Sequence, residues 1–146
     1  MKKSLMPYDL FHYYIDELAG WNLTVEFHKE EARAFVSKIV MVADQQGIDH
    51  THERESNSFI DLLMVQQQEF DHLSIRIASQ QQRFEQTASF QSKPVDDSLC
   101  QQQDTLRSKM HAIERTFVRT KYNCSVFLSS FLSDGQLVIS GNRKTG

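Results

Sequence analysis

Glycine and proline are scarce in this chain, with five and two in 146 residues. Neither occurs from Ile48 to Lys93 or from Val95 to Asp134. That excludes a turn-rich all-β fold and leaves two stretches free to form long helices. A charge excess of one sign is missing too: 16 Lys and Arg are intermixed with 19 Asp and Glu, for a net charge of −3. No broad cationic field exists to hold nucleic acid or an anionic membrane. No apolar run approaches the roughly 20 residues needed to cross a bilayer, so no membrane partner is expected. The opening MKKSLMPYDLF has two lysines with no apolar run behind them, a poor match to a secretion signal. A cytoplasmic protein is the expectation.

Cysteine is nearly absent. If Cys100 and Cys124 share one helix, 24 residues at about 1.5 Å each separate them by about 36 Å. A disulfide needs Cα atoms closer than about 7 Å, so the pair reads as two small, half-buried thiols. No G-x-S-x-G, C-x-x-C, H-E-x-x-H or glycine-rich phosphate loop occurs. The sequence therefore names no catalytic residue and implies no cofactor.

What is present is heptad spacing. Phe59, Leu63, Gln66, Phe70, Leu73, Ile77, Gln80, Phe84 and Thr87 alternate steps of four and three. Leu99, Gln103, Leu106, Met110, Ile113, Phe117, Thr120, Cys124, Phe127 and Phe131 do the same. Phe11, Tyr14, Leu18, Trp21, Val25, His28, Ala32, Phe35, Ile39 and Val42 keep one register straight through Gly20. Such seams pack helices at about +20°. The expected fold is all-α: an elongated antiparallel bundle of three helices, each about 50–60 Å long at about 1.5 Å per residue. A break at Gly20, with Asn22 or Thr24 as cap, makes it four. Pro7 suits a first turn, Gly47 a stop, and Pro94 a boundary. Ser58-x-x-Asp61 and Ser98-x-x-Gln101 resemble capping boxes, and helix two can instead begin as early as Asp49. Residues 1–134 read as one helical-bundle domain. Asp134-Gly135 is expected to end helix three, leaving 135–146 as a loose, flexible C-terminal tail.

The two glutamine triplets of QQQEFDHLSIRIASQQQ, one fourteen-residue step apart, each put a glutamine on the seam. Gln66, Gln80 and Gln103 all occupy seam positions, and a buried amide without partners costs about 1–3 kcal/mol. Antiparallel pairing of helices two and three brings Gln103 within about a turn of Gln80–Gln82. It brings Gln66 near Tyr122–Cys124. The expectation is interhelical amide bonding that sets register, with His28 as a fourth polar seam residue.

The same stretch holds Glu69-Phe70-Asp71-His72, the Glu-x-x-His half-site of ferritin-like carboxylate bundles. His111 and Glu114 form a reversed copy on helix three. Together they are the alternative reading, a metal- or small-ligand-binding bundle. Phe70, Leu73, Met110 and Ile113 take the inward positions, however, which turns these four side chains to the flank or outside. His50 and His52 fall two ligands short of a structural zinc site. The basic residues Arg107, Lys109, Arg115, Arg119 and Lys121 scatter over more than one helix face, which makes nucleic acid the weakest alternative.

Apolar residues in excess of the seams gather at one end. Helix two carries Ile60, Leu62, Met64 and Val65; helix three carries Val118, Tyr122, Val126, Leu128 and Leu132; helix one ends in Val36, Val40 and Met41. They form either a thicker core or a surface for another protein or a second copy. The leading reading is a non-enzymatic bundle acting through protein–protein interaction. It would be an adaptor, regulator or assembly component, with Ile60, Met64, Val65, Val118, Tyr122, Val126, Leu128 and Leu132 as the interaction surface.

Overall fold

The computed structural model describes residues 7–46, 49–88 and 97–145, with side chains to residue 130 in the last segment. It is a three-helix bundle: α1 spans Pro7–Gln46, α2 His50–Ala88 and α3 Asp97–Thr145. Helix α1 runs unbroken through Gly20, so the four-helix variant does not occur. One Gly inside a helix costs only about 1 kcal/mol relative to Ala, and the register on both sides is shared. Helix α2 starts at His50, where Asp49 caps it: Asp49 Oδ1 accepts from the His52 backbone N–H at 2.9 Å. Ser58 therefore lies inside the helix and is no cap. Helix α3 continues to Thr145, past Asp134-Gly135, where the sequence predicts its end. The same propensity argument applies, since no proline follows the glycine to enforce a stop. The sequence boundaries at Gly47 and Pro94 lie outside the described residues.

Two compact units divide the chain, and each helix contributes to both. The first combines α1 up to Lys29 with Gln68–Glu114. Its core holds Leu18, Val25, Phe70, Leu73, Ile77, Phe84, Leu106 and Met110, all at or near zero exposure. Within this unit α1 and α2 run antiparallel, shown by Phe84 packed on Phe11 and Phe70 packed on His28. The second unit combines Glu30–Gln67 with α3 from Arg115. Ala32, Ile39, Leu63, Phe117, Cys124 and Phe127 fill its interior, with Phe59 and Phe127 at a centroid distance of 5.2 Å. Each fully buried Phe contributes about 1.5–3 kcal/mol of transfer free energy. Nearly every inward position implied by the heptads is buried; Phe11, Trp21, Phe35, Phe59 and Thr87 are half-buried.

Candidate functional site

The polar seam residues are the best-defined chemistry in the molecule. In the first unit, Gln80 Nε2 donates to Gln103 Oε1 and to the Leu99 carbonyl, both at 3.1 Å. Gln103 Nε2 in turn donates to Glu17 Oε1 at 2.9 Å. Arg107 grips the same carboxylate with two bonds, Nε to Oε2 at 2.6 Å and Nη2 to Oε1 at 2.7 Å. Its third bond goes to Asp104 at 2.6 Å, and its guanidinium lies 5.9 Å from the Trp21 ring centroid. These bonds hold the Arg107 pKa above its ordinary value, hydrogen bonding to Glu17 being the largest cause. The result is a satisfied chain of amides and charges linking all three helices of that unit.

His28 is buried in the same unit. Its Nε2 donates to Glu114 Oε2 at 2.8 Å, and its ring tilts against Phe70 at a centroid distance of 5.3 Å. Beside it, Lys29 lies 2.8 Å from Asp71, and that hydrogen bond raises its pKa. In the second unit the pattern is sparser. Gln66 Nε2 donates to Thr120 Oγ1 at 2.7 Å, while Thr120 donates to the Thr116 carbonyl. The partner is Thr120, about one turn before the Tyr122–Cys124 region that sequence pairing indicates. Gln66 Oε1 is buried and meets no hydrogen-bond partner among the described residues. Lys121 bridges both Glu31 oxygens at 3.0 Å.

Sequence reasoning missed Glu17–Arg107 and Glu31–Lys121. A signal for both was present. Each acid and base immediately flanks a seam residue (Leu18 and Leu106, Ala32 and Thr120), where parallel helices place complementary charges. Both pairs are 90 residues apart, the offset of α1 against α3 in each unit.

The four residues of the metal alternative separate. Glu69 and His72 line a groove between α2 and α3 whose facing cation is Lys109, an ammonium that repels metal ions. Glu114 is engaged by His28, and His111 is exposed. Among the described residues no three His, Cys, Asp or Glu side chains converge as a metal-binding group. Cys124 is buried, and that burial pushes its thiol pKa up to about 11, away from nucleophilic use.

The apolar excess divides as follows. Met64, Val65, Val118, Tyr122 and Val126 are exposed, and Ile60 is half-buried. Leu128 is buried, which removes it from any surface: with Cys124 and Phe127 it widens the inward stripe to an i, i+3, i+4 face. The side chain of Leu132 lies outside the described residues. Of the twelve large apolar side chains exposed among the described residues, eight belong to the second unit, Val40, Met41 and Leu62 among them.

No protein-family model, curated protein or solved structure matches the chain. Among the described residues, no helix is long and apolar enough to cross a membrane.

Proposed function

We propose that this chain is a non-enzymatic helical bundle that works by binding another protein or a second copy of itself. The observation that carries the reading is the concentration of exposed apolar side chains on the second unit. Val118, Tyr122 and Val126 recur every four residues along α3, on the side opposite its buried Phe117, Thr120 and Cys124. Among the described residues of the unit nothing covers them, and a run of this kind is what a helix-docking face requires. The Gln80–Gln103, His28 and ion-pair layers fit the same reading: paired polar seam residues fix one register, and a fixed register holds an interaction surface rigid.

The test is a paired retention experiment with Val118→Asp/Tyr122→Asp and wild-type protein, bound proteins being identified by mass spectrometry. Because both positions are exposed, circular dichroism should superimpose. A defined partner protein is expected on the wild type and absent from the variant. Equal retention on both, or a wild type that stays monomeric and retains no partner, would refute the reading.

A further inference from the structure

A second, independent pair of unpartnered surfaces lies in the first unit. One is the outward face of α1. Leu23 is 73% exposed and Phe27, one turn on, is 60% exposed. Ala19 and Gly20 beside them leave the backbone open to close approach, and a Cβ at Gly20 would meet no heavy atom within 4 Å. The charge on this stretch is acidic. Asp9, Asp16 and Glu26 stand against Lys29 alone, which Glu26 shares with Asp71; Glu17 is taken up by Arg107. Asp16 is exposed and forms no ion pair among the described residues.

The other surface is the groove between α2 and α3, about 380 Å³, with Leu73 and Ile113 as its floor and Ile75 exposed at its rim. Its rim is cationic. Among the described residues Arg76 and Lys109 form no ion pair, and the guanidinium of Arg83, farther along, donates to the neutral Gln102 and to no carboxylate. Glu69 is the one acid on these walls.

We infer that the acidic, apolar face of α1 in one copy of this chain docks into the cationic α2–α3 groove of another. This rests on the reading of the chain as a protein-binding bundle and assigns one contact to self-association. The α1 face points away from its own bundle, so only a second copy can deliver it to a groove. Charge and spacing agree. Asp16 precedes Leu23 by seven residues and Arg83 follows Arg76 by seven, about 10.5 Å on each helix. With α1 antiparallel to the receiving α2 and Leu23 at Ile75, Asp16 comes level with Arg83 to within one residue. Phe27 comes level with His72 to within one residue as well. The contact is heterologous, so it propagates from copy to copy instead of closing on itself as a two-fold dimer does.

That asymmetry supplies the experiment. Leu23→Lys spoils the face and keeps the groove; Arg76→Glu spoils the groove and keeps the face. Both positions are exposed, and circular dichroism with thermal melting checks that each variant folds as the wild type does. In light scattering across a concentration series, the wild-type mass should grow with concentration. Each variant alone should require at least about tenfold more protein for the same mass. The two variants mixed should form a 1:1 complex and stop there, and added salt should weaken it. A wild type that is monomeric at about 1 mM overturns the inference, and so does a mixture that shows no heterodimer. Association that persists unchanged in both variants also overturns it, and leaves the Val118/Tyr122/Val126 surface as the site responsible.

Discussion

Gln66 and Gln103 occupy equivalent seam positions and are both buried, yet replacing each by leucine should move stability in opposite directions. Gln103 makes a bond from Gln80, one to the Glu17 carboxylate and a longer one to the Tyr14 carbonyl at 3.4 Å. A neutral bond contributes about 0.5–1.5 kcal/mol net and one to a charged group about 1.5–3 kcal/mol. Burying leucine in place of the amide offsets part of that loss, so Gln103→Leu should cost about 1–3 kcal/mol. Gln66 has a single bond, to Thr120, which keeps its own bond to the Thr116 carbonyl when the amide is removed. The amide's other end, Oε1, is buried with no partner, a cost of about 1–3 kcal/mol that leucine abolishes. Gln66→Leu should therefore stabilise by about 1 kcal/mol. At about 2–4 °C per kcal/mol for a chain of this size, the two variants should melt on opposite sides of the wild type. Urea unfolding at fixed protein concentration measures both. If Gln66→Leu is destabilised as much as Gln103→Leu, buried-amide satisfaction does not govern these layers and the reasoning fails.

Three further outcomes are expected. Gly20→Ala should stabilise by about 0.8–1 kcal/mol, since the added methyl meets nothing within 4 Å and removes the backbone entropy cost of glycine; a lower denaturation midpoint would refute this. Arg107→Lys should cost about 1–2 kcal/mol by losing the two-bond grip on Glu17, a figure reduced from that of a fully buried pair because Arg107 is 27% exposed; an unchanged melting curve would show that the pair is screened. Stability should fall as pH rises from about 9 to about 11: burial lifts the Cys124 thiol to about 11, so the unfolded chain ionises first and is favoured, whereas below pH 9 the stabilisation is complete. Cys124→Ala should flatten that fall when urea midpoints are compared across the range.

The heptad spacing alone located the interior, including the three glutamines, because a period of three and four turns one stripe of each helix inward whatever its chemistry. Gln66, Gln80 and Gln103 were legible as buried for that reason, and the identity of their partners was less so. Gln80 meets Gln103 within the turn that antiparallel pairing allows, but Gln66 meets Thr120, about one turn earlier than counting from the α2–α3 connection suggests. Counting accumulates the uncertainty of a connection, and only complementary side chains decide the final fraction of a turn. Glu17–Arg107 and Glu31–Lys121 escaped for a different reason. Their partners sit on the first and third helices, 90 residues apart, and a pass along one helix at a time cannot relate them. Leu128 was misplaced because a strict seam is narrower than the face buried in the second unit.

The Glu-x-x-His motif shows why residue type at the right spacing is insufficient for a metal site. Helical spacing guarantees only that Glu69 and His72 share a side of α2, one turn apart. Ligation further requires that neighbouring helices bring acceptors of electron density to the same point. Here α3 brings Lys109, an ammonium, to the groove that Glu69 and His72 line. Its Glu114 is oriented toward α1, where His28 donates to it. A cation facing a carboxylate and an imidazole favours an anion or a protein carboxylate over a metal. With Arg76 on the same wall, that preference is stronger, and an acidic helix face becomes the occupant whose charge the groove best matches. The residues that first suggested half a metal centre thus carry more weight as part of a docking surface, and exchanging Lys109 for glutamate would test that weight directly. The exchange should weaken the Leu23→Lys/Arg76→Glu complex when it is placed in the Leu23→Lys chain, which supplies the groove. Placed in the Arg76→Glu chain, which supplies only the face, it should leave the complex unchanged.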